Sequence, residues 1–207
     1  MWNQQFAITS APREFRRKLS RDEVNECPLR TWEGEISVIS TAKDAESALP
    51  ELMAQPVLGF DTETRPAFRK GESYLPALIQ FATNDKTWIF QLDRINNDAV
   101  LADLLRHPAP LKTGVSIADD IADLRKRAEF EPAGFLDLGT VAEQAEMHTR
   151  GLRNLSANLL GFRISKSAQT SNWARPDLTE KQIRYAATDA WVGYLLFHRM
   201  RELGILA

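Results

Sequence analysis

An α/β domain, with a mixed sheet flanked by helices, is the fold class this sequence predicts, and three observations carry it. VLGFDTE (57–63) is an apolar run whose polar residues fall at its end, the mark of a buried strand. ALIQFAT (77–83) and TWIFQL (87–92) flank Asn84-Asp85-Lys86, a hairpin signal. The second half alternates short strand and helix periods and finishes on a long helical stretch, 178–203. Three antiparallel strands, then helix, strand and several helices, describe such a sheet, and several α/β folds share that order.

The elements are expected as follows. Residues 1–33 are polar and weakly periodic and read as an N-terminal arm; 34–207 form the domain. EISVIS (35–40) is a strand, and 41–55 a helix with Thr41 as its N-cap. Helical spacing covers 96–107, LKTGVSI (111–117) is a strand, and 118–130 is a helix closed by Pro132 and Gly134. Two further helices are predicted at 136–147 and 151–162. The last helix opens on a capping box, with Thr179 as cap and Gln182 three residues on.

Composition bounds the function. The 207 residues suit one domain with a sizeable core, and a hydrophobic share of 43% with 26% charged is an ordinary globular balance. A single cysteine, Cys27, excludes a disulfide framework and a Cys-rich zinc site, which fits a reducing compartment. No signal peptide and no apolar run long enough to span a membrane is present, so an intracellular, cytoplasmic protein without membrane attachment is expected. A net charge of −2 argues against coating nucleic acid by general electrostatics, but not against an enzyme that grips a few nucleotides. Charge is uneven: Arg13–Arg21 holds five basic residues against one acid, and Arg150–Arg184 holds seven against Asp177 and Glu180. Each stretch reads either as a solvated face or, for the second, as a surface along substrate.

Three clusters carry chemistry. Strand alternation puts Asp61 and Glu63 on one face, where two carboxylates in apolar surroundings repel. A divalent cation removes that cost, and hard oxygen ligands suit Mg²⁺ or Mn²⁺. A solvent-facing pair is the plainer reading, but this pair ends the most apolar strand of the chain. Asp119 and Asp120 stand where a strand ends and a helix begins, and could simply favour the positive helix start. Tyr185 and Asp189 lie one turn apart on one helical face, flanked by alanines small enough to let a strand come close. Taken alone, that pair also reads as a packed tyrosine beside a surface aspartate.

Together, and in this order, the clusters resemble the three exonuclease motifs of the DEDDy family over roughly residues 34–203. That family includes ribonuclease D, the proofreading domain of bacterial DNA polymerase I, and the exonuclease domain of the Werner syndrome helicase. Gly59-Phe60-Asp61, Ala77-Leu78-Ile79-Gln80, Leu159-Leu160-Gly161, Ser171-Asn172-Trp173 and Tyr185-Ala186-Ala187-Thr188-Asp189-Ala190 look most like the Werner-like branch. Ribonuclease-D-like members usually carry an acid where Asn172 stands. No histidine lies close upstream of Asp189, so Tyr185 takes the place that histidine holds in the sister DEDDh class.

The resemblance implies a ribonuclease-H-like (DnaQ-like) fold and a 3′-5′ exonuclease acting on single-stranded 3′ ends of DNA or RNA. It implies two divalent ions, Mg²⁺ or Mn²⁺, on Asp61, Glu63, Asp120 and Asp189, with Asp61 bridging and Tyr185 orienting the attacking water. Family spacing to Gly114 and Leu124 selects Asp120 over Asp119. The backbone around Thr64 would hold the terminal nucleotide. Lys166 would contact a phosphate, or is simply solvated; Trp173 would stack on a base or sugar, or is a buried aromatic. Ribonuclease-D-like RNA trimming and a non-catalytic nucleic-acid-binding module are the rival functions. RNA-gripping C-terminal domains and a helicase are not expected in this chain, so protein partners would be separate chains.

Overall fold

The computed structural model describes residues 6–69 and 71–207; the first five residues of the expected arm lie outside the described residues. Two short helices come first, α1 (Arg13–Arg16) and α2 (Arg21–Glu26). Strand β1 (Glu35–Ile39) leads into α3 (Ala42–Met53), whose first turn is capped by the Thr41 hydroxyl accepting from the Asp44 amide. Then come β2 (Val57–Thr64), β3 (Pro76–Ala82) and β4 (Lys86–Gln91), with the hairpin between the last two where the Asn-Asp-Lys turn predicts it. Helices α4 (Leu92–Ile95) and α5 (Ala102–Arg106) precede β5 (Leu111–Gly114) and α6 (Ala118–Arg127). The chain continues through β6 (Phe135–Asp137), α7 (Leu138–Gln144), α8 (Leu152–Leu155) and the long α9 (Glu180–Glu202).

The six strands form one mixed sheet in the order β1-β4-β3-β2-β5-β6. β2 is antiparallel to β3 and parallel to β5, so it sits where the sheet changes direction. One face packs against α3, α5 and α6 through Leu58, Phe60, Phe81 and Phe90. The other face is crossed by α9, which lays Ala186 and Ala187 against Leu78 and Ile89. The capping box of α9 forms as predicted, Thr179 and Gln182 each accepting from the other's amide.

Four predicted elements change. Residues 96–107 are not one helix: Asn96, at φ 49°, ends α4, and a 3₁₀ turn (Asp98–Leu101) intervenes before α5. The strand at 111–117 stops at Gly114, and Ser116 takes φ 62° to turn the chain into α6. The helix at 136–147 begins instead as β6, because Phe135 and Leu136 find backbone partners in Lys112 and Thr113 of β5; α7 starts only after Asp137. The helix at 151–162 is α8 followed by a π turn (Ser156–Leu160), stopped by Gly161 at φ 74°.

The described part of the N-terminal segment is strapped to the domain. Ile8 bridges to Leu206 and Leu29 to Arg163, the Ala11 amide donates to Ala145, and the Trp32 amide donates to the Thr188 hydroxyl at 2.9 Å. Ala11, Val24 and Trp32 are buried by this packing.

Candidate active site

The site begins with how closely α9 can approach β2. Gly59, Asp61 and Glu63 alternate onto the face that α9 crosses. A Cβ on Gly59 would lie 2.0 Å from the Ala190 carbonyl oxygen, so only glycine permits this crossing. On the helix side, Ala186, Ala187 and Ala190 are fully buried against the strands. Close approach carries Asp189 onto the end of β2. Carboxylate oxygens of Asp61, Glu63 and Asp189 lie within 4.8 Å of one another, with Glu63 8% and Asp189 6% exposed.

Such a cluster is held together against its own charge. Burial pushes Asp61 well above the usual carboxylate range, and the charges of Asp189 and Asp120 add to this. Burial acts on Glu63 in the same way, followed by the charges of Asp61 and Asp189. Asp189 is pushed up to about 7 by burial, and the neighbouring Tyr185 hydroxyl offsets this only in part. One of its carboxylate oxygens, Oδ1, is buried with no hydrogen-bond partner among the described residues. Tyr185 is driven above its ordinary range by burial first and then by the negative field of Asp189 and Glu63, so it stays a protonated donor.

Asp120 joins from the opposite layer. It stands in the first turn of α6 and accepts a short hydrogen bond from the Thr62 hydroxyl, on the other face of β2. Its charge reaches Asp61 and Glu63, whereas Asp119 is exposed. The turn that presents Asp120 is tied by Asp137, which lay inside a predicted helix and was not singled out in the sequence. Its carboxylate accepts from the amides of Ser116 (3.0 Å), Ile117 (3.1 Å) and Gly139 (2.8 Å), joining the starts of α6 and α7. The Asp-Leu-Gly-Thr string is a readable N-cap signal for α7, but not for its second role. Gln80 was also missed as an individual residue. It lies opposite Asp61 in the β2–β3 register, is fully buried, and neither end of its amide has a partner among the described residues.

The remaining predicted residues divide. Thr64 ends β2, where the register with β3 shifts. Lys166 is exposed and lines a cleft of about 240 Å³ together with Arg153, Tyr185 and Asp189. Of the two readings of Trp173, burial favours the buried aromatic and corrects the stacking one: at 1% exposed it offers no open face to a base, and its ring lies 5.8 Å from that of Tyr185. It backs the tyrosine rather than meeting a nucleotide.

The sequence profile of the 3′-5′ exonuclease family matches residues 36–205. The mouse bifunctional 3′-5′ exonuclease/ATP-dependent helicase WRN is 31% identical over 154 residues, covering 72% of this chain and 11% of that protein. Ribonuclease D of Pseudomonas paraeruginosa is 28% identical over 142 residues, covering 67% of this chain and 37% of the relative. The chain therefore spans only a minor part of the length of these relatives. The crystal structure of the Aedes aegypti Nibbler EXO domain superposes with a TM-score of 0.76 at 23% identity, over 84% of this chain and 92% of that one. It carries the same ribonuclease-H-like arrangement of a mixed sheet under helices. With the family profile running from β1 to the end of α9 and through every acid of the cluster, this chain belongs to the 3′-5′ exonuclease domain family.

Proposed function

We propose that this chain is a metal-dependent 3′-5′ exonuclease that hydrolyses phosphodiester bonds of DNA or RNA from the 3′ end and releases nucleoside 5′-monophosphates. The observation that carries the reading is the cluster of half-buried Asp61 with buried Glu63 and Asp189 at the end of β2, in a chain of the exonuclease family.

The donor set fits divalent cations. All its ligands are hard oxygens, they repel one another without a counter-charge, and the partnerless Asp189 Oδ1 is the kind of buried atom that a ligand satisfies. Asp61, Glu63 and Asp189, with Asp120, would hold the divalent ions, two Mg²⁺ or Mn²⁺. When bound, such ions acidify a water and compensate charge on the leaving oxygen.

The chain's own groups do the positioning. Tyr185, kept protonated by burial and by the neighbouring acids, donates a hydrogen bond that aims the water. Trp173 fixes the tyrosine ring from behind. Thr62 holds Asp120 at the rim, and Asp137 fixes the turn from which it projects. The backbone at Thr64 holds the terminal nucleotide, and Lys166 meets a phosphate in the cleft beside Tyr185. Work inside the cell, in the cytoplasm, is consistent with the lone cysteine and with a nucleic-acid substrate.

One assay tests the reading: 3′-labelled and 5′-labelled DNA and RNA single strands, each with Mg²⁺, Mn²⁺ or EDTA. Mononucleotides should leave the 3′ end first, only with a divalent ion, and a 3′-phosphate block should slow them. Hydrolysis undiminished in chelator, or release from the 5′ end first, overturns it.

A further inference from the structure

The N-terminal segment borders the site although the family match begins only at residue 36. The cleft beside Tyr185 and Asp189 has Arg153, Asn154 and Lys166 in its wall. A second hollow, of about 600 Å³, has the same three residues in its wall and extends to Lys18 and Arg21. The two hollows adjoin at these three residues, one reaching Asp189 and the other the basic stretch of the N-terminal segment.

The far wall is built, not loosely laid against the domain. Arg153 Nη2 donates to Asn25 Oδ1 at 2.8 Å, and Arg163 Nε donates to the Asn25 carbonyl at 3.1 Å. Helix α2, which supplies Arg21, Glu23 and Val24 to this wall, carries a complete Ser20/Glu23 capping box. Glu23, an acid in the same wall, is paired with Arg17 at 2.7 Å. Among the described residues no ion pair engages Lys18, Arg21 or Lys166. A groove with unpaired cations along its walls and buried acids at its end suits a chain of phosphates whose last link is delivered to those acids.

We infer that Lys18 and Arg21 extend the substrate path, binding the phosphodiester backbone of a single strand upstream of the nucleotide being removed. This rests on the exonuclease reading. It assigns the N-terminal segment a binding role that the catalytic domain alone does not supply.

The experiment compares a substrate that fills the groove with one that cannot reach it. Steady-state KM is measured for single-stranded DNA and RNA 12-mers and for the p-nitrophenyl ester of thymidine 5′-monophosphate, in the full chain. For Lys18→Glu/Arg21→Glu, the ratio of 12-mer KM to ester KM should rise by roughly tenfold or more, for both sugars. For Lys18→Ala/Arg21→Ala, the slope of log affinity for the 12-mer against log salt should flatten by about 1.4, two contacts at about 0.7 each. A double reversal on the opposite layer, Lys43→Glu/Lys126→Glu, should leave the ratio where it is. An unchanged ratio in a normally melting Lys18→Glu/Arg21→Glu protein overturns the inference, as does an equal rise in the opposite-layer control. Wild-type protein that hydrolyses neither substrate overturns the exonuclease reading and this inference with it. Wild-type hydrolysis with an unmoved ratio overturns the groove alone.

Discussion

Lys112, within the sheet, and Asp189, on the helix that crosses it, are both buried ionisable groups, and their surroundings differ in kind. Lys112, on β5, is completely buried, yet its Nζ donates to the carbonyls of Leu104 (3.0 Å) and His107 (2.7 Å) and lies 4.9 Å from the centroid of the Phe135 ring. Burial lowers its pKa to about 7, but a neutral amine still donates to both carbonyls, so the group is satisfied in either state. It closes the C-terminal end of α5, where carbonyls lack helical partners. Asp189 instead faces Asp61 and Glu63 with one oxygen partnerless. A buried polar group with its partners in place is a structural fixture. One left unpartnered beside like charges marks a place where something from outside completes the set.

That contrast can be broken most sharply at Asp61. Asp61→Asn keeps shape and removes charge, so exonuclease rate should fall on the order of 10³–10⁴-fold, several kcal/mol of lost charge stabilisation. The same variant should melt above wild type without metal at pH 8. Asp189, at about 7 in the folded protein, lies above its unfolded value of about 4. A raised acid contributes stability that is complete below about 4 and lost as pH rises through about 7. Metal-free wild type should therefore lose melting temperature between pH 5 and pH 8, and Mg²⁺ should restore it. A variant with wild-type turnover, or a flat melting profile in EDTA, would remove the acid cluster from the mechanism.

Next in size is the pair at the start of α6. Asp120→Ala should lower the rate by roughly 10³-fold, while exposed Asp119→Ala should change it by less than about threefold. A reversed order, read in the same 3′-end assay, would shift the third ligand by one residue.

Tyr185→Phe separates aiming from binding. Losing one positioned hydrogen bond should cost about 10²–10³ in rate and leave the Mg²⁺ midpoint in place. Asp189→Ala should move that midpoint. A rate-against-Mg²⁺ titration of both decides it, and equal shifts would end the water-orienting role.

The smallest effect on activity belongs to the satisfied charge. Lys112→Met orphans two buried carbonyls at a cost of about 2 kcal/mol, about 4–8 °C of melting temperature in a chain of this size. Turnover per folded molecule should stay within about twofold. A large fall in turnover with unchanged melting would make Lys112 part of the site and dissolve the comparison.

What could be read from the chain itself is what a few neighbouring residues settle among themselves. A period of two puts Asp61 beside Glu63, a period of one turn puts Tyr185 beside Asp189, and the Thr179/Gln182 box and the Asn-Asp-Lys turn are complete within four residues. Those patterns located four of the five residues proposed for catalysis, and the order of the clusters pointed to the family. Relations across the sheet were set only by the tertiary structure. β6 is three residues long and exists because β5 pairs with it across about twenty positions. Family spacing selects Asp120 over Asp119, but its contact with Thr62, the inward turn of Trp173 against Tyr185 and the hydrogen bond that holds the N-terminal segment to Arg153 come only with the fold. None of these has a local signature. Each depends on which surfaces the packed sheet and α9 leave open, and that is a property of the whole core rather than of any window of sequence.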